Sequence, residues 1–217
     1  MMKNIFLASA VLLIAIFSQA QQDPKAKGIL DEVSGKTKTF KTILADFSFS
    51  MENKAMSINE KNDGSIKLKG QKYIVDLPGA GMKVYSDGKT NWTYMKQGNQ
   101  VTISNIEDSG SELMDPSSLF SIYEKGFTSK FIAEKNIGGK SVYQIDLFPD
   151  KKEFDVSKIT IEIDKTTMMI KSAQLFDTDG NIYGIVVKKM ETNKEFPDGE
   201  FVFDAKKFPD VEVIDLR

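Results

Sequence analysis

The feature that most constrains the fold is a period-two alternation of apolar and polar residues that recurs through most of the chain. Phe47, Phe49 and Met51, for example, alternate with aspartate, serine and glutamate. Side chains point alternately to the two faces of a strand, so this pattern predicts strands with one apolar face and one wet face. Turn-forming pairs such as Asp87-Gly88 separate these runs. The sequence therefore predicts a long antiparallel meander.

Further strand faces are marked by pairs and triplets of apolar residues at the same spacing. They are Ile66 and Leu68, Tyr73 and Val75, Trp92 and Tyr94, Val101 and Ile103, Tyr143, Ile145 and Leu147, and Ile159, Ile161 and Ile163. Aromatic residues at this spacing are most often ordinary core, so Trp92 and Tyr94 alone do not identify a ligand site. In the run 182–187, the residues on both faces of the expected strand are apolar, which predicts a strand covered on both sides.

Two segments depart from the strand pattern and predict helices. Asp23-Pro24 has the form of an N-cap followed by proline, and apolar residues then recur at helical spacing, which predicts a helix to about Lys38. Asp115-Pro116 predicts a second, short helix within the segment 109–125. Its apolar residues occupy most of the circumference, which indicates contact with the sheet on one side and with a helix or ligand on the other. The predicted class is mainly β with helices (α+β).

The N-terminus has the pattern of a secretory signal peptide. Lys3 precedes an apolar run from Ile5 to Phe17, and the small residues Ser18 and Ala20 follow. The run is shorter than a membrane span requires. We therefore expect a signal peptide over 1–20, cleavage near Ala20, a single domain over 21–217 and a periplasmic location.

Histidine and cysteine are both absent from the sequence. Their absence removes the usual general base, the thiol nucleophile and nearly all zinc sites, so we expect neither an enzyme nor a metal or other cofactor. A glycoside hydrolase built on a carboxylate pair remains an outside alternative. With 29 basic and 31 acidic side chains, the balance argues against a nucleic-acid partner or a strongly anionic membrane surface.

Several segments together resemble the outer-membrane lipoprotein carrier family, LolA. Val84–Tyr94, which contains Ser86-Asp87-Gly88-Lys89, and the following strand Gln100–Ile103 are similar to the strand, turn and aromatic strand of that family. The segments 201–204 and 208–215 are similar to the ending of the family. The resemblance extends over essentially all of residues 21–217.

This resemblance implies an unclosed antiparallel β half-barrel with a helical lid, whose concave apolar face receives the acyl chains of a lipoprotein. The expected cavity wall is Phe47, Phe49, Met51, Ile66, Leu68, Tyr73, Val75, Trp92 and Tyr94, and the expected lid is Leu119, Phe120, Ile122 and Tyr123. One departure concerns the arginine that is associated with lid closure in this family. Family members often carry Lys-Arg-Pro where this chain has Lys69-Gly70-Gln71, and the only arginine here is Arg217.

The leading hypothesis is a monomeric carrier that moves lipoproteins from the inner to the outer membrane. Its implied partners are lipoproteins, the inner-membrane lipoprotein-releasing ABC transporter and an outer-membrane receptor. The outer-membrane receptor related to this family is itself lipidated. Because this chain has no cysteine, we do not expect it to be that receptor. A related lipid or glycolipid binder, including one for polyisoprenoids, and an envelope-stress sensor domain of the same fold are the alternatives.

Overall fold

The computed structural model describes residues 22–108, 126–151 and 155–217. This part of the chain contains one α-helix, α1 (Pro24–Thr37), and twelve strands. The strands are β1 (Ile43–Asn53), β2 (Ile58–Lys69), β3 (Lys72–Leu77), β4 (Met82–Ser86), β5 (Thr90–Met95), β6 (Gln100–Asn105), β7 (Phe127–Ile137), β8 (Lys140–Pro149), β9 (Val156–Asp164), β10 (Met169–Asp177), β11 (Ile182–Thr192) and β12 (Glu212–Asp215).

All twelve strands form a single sheet in the order β12-β6-β5-β4-β3-β2-β1-β11-β10-β9-β8-β7. Neighbouring strands are antiparallel throughout, except that β12 runs parallel to β6. The pairing of β1 with β11 joins two meanders into one sheet. Because β12 and β7 do not pair with each other, the sheet stays open, and the predicted unclosed half-barrel of the α+β class is confirmed.

Helix α1 begins where the sequence predicts it. The Asp23 carboxylate accepts hydrogen bonds from the backbone N–H groups of Lys25 (2.9 Å) and Ala26 (3.2 Å), and Pro24 occupies the first turn. The helix ends at Thr37, one residue before the predicted limit. The second predicted helix and the four lid residues lie outside the described residues.

One face of the sheet, which we call the helix face, carries α1. Ala26, Leu30 and Val33 of the helix are buried in a core formed with side chains of the strands from β7 to β10. The strand residues of this core are Phe127, Ile145, Leu147, Val156, Ile159, Ile161 and Ile163. Cross-strand pairs such as Ile145 with Ile161 confirm that they share one face. The helix therefore covers one half of the sheet.

The residues that precede α1 also protect the edge strand β7. The backbone N–H of Ser129 donates to the Gln22 side chain at 2.9 Å, and that of Phe131 donates to the Asp23 carboxylate at 3.0 Å. The backbone N–H of Asp23 in turn donates to the Ser129 carbonyl. These bonds satisfy groups that an edge strand would otherwise present to another chain. The backbone N–H of Phe131, with those of Ala26 and Lys25, lowers the pKa of Asp23.

The opposite face, which we call the tail face, is covered over β2–β6 by a C-terminal segment comprising residues 196–208. Phe201 and Phe203 of this segment are buried, and the Phe203 ring packs on Tyr85 and Tyr94. Ion pairs fix its border: Lys67 contacts Glu200, and both Lys69 and Lys72 contact Asp198. The two lysines lower the pKa of Asp198, so this carboxylate stays ionised at neutral pH.

Candidate ligand-binding surface

An apolar row crosses the half of the helix face that α1 does not cover. The pairing aligns Met190 with Ala45, Ala45 with Ile66, Ile66 with Val75, and Val75 with Val84. Directly opposed residues in a sheet point to the same side, with their Cβ atoms about 5 Å apart. The strands from β11 to β4 therefore present a continuous apolar band that runs across the strand direction.

A second core cluster lies along this band. Its buried members are Ile43, Ala45, Ile66, Leu68 and Tyr73, and Phe40, Phe47, Val75, Val84, Val187 and Met190 pack against it while remaining partly exposed. These side chains are about as large as those under α1, yet fewer of them are fully buried. Within the described part of the chain, this half of the helix face is the less completely covered half.

Four residues lie between the two core clusters and belong to neither. Phe49 opposes Ile185 and Met51 opposes Tyr183, so all four point to the helix face of β1 and β11. The rings of Phe49 and Tyr183 are stacked at 6.4 Å between centroids. All four are half-buried. We call Phe49, Met51, Tyr183 and Ile185 the central apolar surface, because they leave a large apolar area in the middle of the sheet incompletely buried.

Gly64 shapes the border of this surface. A Cβ atom at Gly64 would lie 2.8 Å from Cζ of Phe47 and 2.6 Å from Cδ2 of Leu77. The absence of a side chain therefore lets the Phe47 ring lie across β2. The tip of the aromatic ring therefore lies close to the backbone of β2 at Gly64.

Seven of the nine residues predicted as cavity wall lie on the helix face. These are Phe47, Phe49, Met51, Ile66, Leu68, Tyr73 and Val75. Trp92 and Tyr94 lie on the tail face, because Trp92 opposes Tyr85 and Tyr85 opposes Ile74, the neighbour of Tyr73. Their predicted place beside Phe47 is therefore wrong. Tyr94 instead stacks on Phe203 and packs at a tilt against Phe208 beneath the C-terminal segment.

The contribution of β11 to this surface was missed from sequence. Its signal was the apolar run 182–187, which was interpreted as a strand covered on both sides. The structure corrects this expectation: Ile185 points to the helix face, whereas Val186 on the tail face is 47% exposed.

Comparison with known proteins places this architecture in a family. A family model described as "Outer membrane lipoprotein carrier protein LolA" matches residues 38–204. The chain belongs to the LolA family. No curated protein matches it.

Solved structures share the LolA-like fold at low sequence identity. An uncharacterized conserved protein from Thermus thermophilus is 14% identical, with a TM-score of 0.55, and the match covers 88% of this chain and 99% of that one. LprF from Mycobacterium bovis is 14% identical with a TM-score of 0.50, and the match covers 81% and 97%. MucB is 12% identical with a TM-score of 0.52, covering 84% and 64%. These likenesses show the fold alone.

Lys69-Gly70-Gln71 lies at the hairpin between β2 and β3. Gly70 has a φ of 60°, a left-handed conformation that the turn requires and that glycine adopts readily. Lys69 contacts Asp198 at 2.7 Å and donates to the Phe196 carbonyl at 2.8 Å. In this chain, the hairpin is therefore tied to the C-terminal segment on the tail face.

The chemistry that the surface offers is apolar contact. Across the described ranges, no group of three or more histidine, cysteine, aspartate or glutamate side chains is placed to hold a metal. Among the same residues, no helix is long and apolar enough to cross a membrane. The nearest carboxylate by pairing is that of Glu60, which opposes Met51 at the end of the central apolar surface.

Proposed function

We propose that this protein is a periplasmic carrier that binds the acyl chains of lipoproteins and shuttles them from the inner to the outer membrane. The observation that supports this proposal is the central apolar surface. It lies between two cores on the helix face, and its four large side chains are only half-buried. A soluble protein gains from covering such an area, and an apolar ligand can supply the cover.

The energetics suit reversible transport. Burial of an acyl chain contributes about 0.8 kcal/mol per methylene, so roughly fifteen carbons contribute on the order of 10 kcal/mol before the cost of association. On an open sheet, only one side of the chain is buried against protein, which lowers this gain. The acyl chain can then pass to an acceptor without the opening of a fully enclosed cavity.

The proposed route needs partners at both membranes. The signal-peptide pattern over 1–20 would deliver residues 21–217 to the periplasm as a monomer. The inner-membrane lipoprotein-releasing ABC transporter would supply the cargo, and an outer-membrane receptor would accept it. Membership of the LolA family supports this assignment.

A carrier of another acylated lipid or of a glycolipid is the second candidate, together with an envelope-stress sensor of the same fold. The observation that favours a lipid carrier is the composition of the central apolar surface, which consists of hydrocarbon and aromatic side chains. Such side chains contact the acyl chain of a ligand and not the protein that is attached to the acyl chain. Competition between a lipopeptide and a phospholipid for one probe separates the two kinds of carrier.

Two neighbouring residues of β11 provide a matched test. Ile185 points to the helix face and Val186 to the tail face, so Ile185→Glu and Val186→Glu place the same charge on opposite sides of one strand. We expect Ile185→Glu to weaken binding of a fluorescent fatty-acyl probe by about tenfold or more, because the charge would face the acyl chain. Val186→Glu should change the affinity little, because Val186 is already exposed.

Thermal unfolding of both variants serves as the control for folding. The proposal would be contradicted by equal affinities of the two variants while both remain folded. Displacement of the probe by a triacylated lipopeptide, but not by the same peptide without lipid, is expected for the wild-type protein.

A further inference from the structure

The apolar row on the helix face is interrupted by a pair of hydroxyl groups. Beyond Val84, the pairing continues through Thr93 on β5 and Thr102 on β6 to Ile214 on β12. Thr93 and Thr102 oppose each other directly and are half-buried. A polar pair therefore interrupts a row that is otherwise apolar from β11 to β12.

Near the threonine pair, the helix face carries one formal charge among the described residues, that of Glu212 on the edge strand β12, which opposes Gln100. Every residue that the pairing assigns to the helix face of β3, β4, β5 and β6 is uncharged, whereas Lys72, Asp76 and Lys83 of the same strands lie on the tail face. A group bound here is therefore recognised by neutral hydrogen bonds and not by ion pairing.

The two hydroxyls are available to a ligand. Neither the Thr93 nor the Thr102 side chain makes a side-chain hydrogen bond within the described residues. A valine pair would fill nearly the same volume and bury more apolar area, so the hydroxyls add nothing to packing. They add two hydrogen-bond donors that would point toward a ligand lying along the row.

Their distance from the central apolar surface fits a lipid. Thr93 on β5 is four strands from β1, and strands are spaced by about 4.8 Å, which gives about 19 Å across the sheet. This span is comparable to the length of a long acyl chain. A chain that lies along the row from β5 towards β11 would place its first carbons at the threonine pair and its end at Ala45 and Met190. A chain that runs diagonally across the strands would instead reach the central apolar surface at Phe49, four residues further along β1.

We propose that Thr93 and Thr102 donate hydrogen bonds to the ester carbonyl oxygens of a diacylglyceryl group while its chains extend toward Ile185. This inference rests on the proposed function and narrows its ligand to acyl esters. It excludes hydrocarbon chains that lack a carbonyl next to the chain, such as a polyisoprenoid joined directly to phosphate.

The test compares two lipopeptides that differ only in the linkage of their chains. One carries a diacylglyceryl group with two esters, and the other carries the matching dialkyl group with two ethers. We expect the wild-type protein to bind the diester about tenfold more tightly, because two neutral hydrogen bonds together give about this factor. The double variant Thr93→Val, Thr102→Val should lose this preference and keep the wild-type affinity for the diether.

Serine variants provide the matched control. Thr93→Ser, Thr102→Ser retains both hydroxyls and should retain the preference for the diester, and circular dichroism of each variant checks that the sheet is intact. Equal binding of the two lipopeptides by the wild-type protein would overturn this inference alone, as would a preference that survives in the valine variant. Failure of both lipopeptides to bind would contradict the proposed function, and this inference with it.

Discussion

Replacing Phe201 with alanine should lower the free energy of unfolding by about 3–5 kcal/mol. Phe201 is fully buried in the C-terminal segment, where its ring packs edge-on against Phe196. Removing the ring leaves a cavity between the segment and the tail face, and the ion pairs at the border of the segment are too exposed to offset the loss. The effect is measured by urea unfolding at neutral pH.

Val202→Ala is the matched control for this prediction. Val202 is the next residue and is 41% exposed, so its truncation should cost far less. Similar losses for Phe201→Ala and Val202→Ala would show that the C-terminal segment does not contribute a core of its own. A loss confined to Phe201→Ala would support its role as the cover of the tail face.

Replacing Leu30 with alanine should cost about 2–5 kcal/mol. Leu30 is 2% exposed and holds α1 against the strands from β7 to β10. Because α1 is short and its stability depends on this packing, loss of the side chain should loosen the helix as well as the core. Chemical denaturation gives the change in stability, and binding of an apolar dye reports exposure of the helix face.

Glu32→Ala, on the exposed side of the same helix, should leave both readouts nearly unchanged. If Leu30→Ala unfolds at the wild-type denaturant concentration while dye binding rises, α1 would be a loosely attached cover and not part of the core. That result would show that α1 does not permanently cover its half of the helix face.

The parts of the fold that local sequence determines were predicted well. Asp23-Pro24 sets the start of α1 because the cap and the proline act within one turn. The alternation around Phe47 identified β1 because the period of a strand is visible in the sequence itself. The unclosed sheet and membership of the LolA family agree with what the resemblance implied.

The site was predicted less well because it depends on pairing between strands. Alternation shows that Trp92 and Tyr94 share a face, but not which face, since a shift of one residue in register reverses the answer. That choice is made by the C-terminal segment, whose Phe203 lies more than a hundred positions further along the chain and packs on Tyr94. The contribution of Ile185 likewise depends on the distant pairing of β11 with β1.

The most direct measurement of the central claim is photo-crosslinking with a lipopeptide whose acyl chain carries a diazirine, followed by mass spectrometry of the digested protein. We predict labelling in β1 and β11 on the helix face, with Ile185 modified and its neighbour Val186 unmodified, and suppression of labelling by excess unlabelled lipopeptide. Labelling that falls mainly on Val186 or the C-terminal segment, or labelling that unlabelled lipopeptide does not suppress, would contradict the assignment of the helix face as the acyl-binding surface.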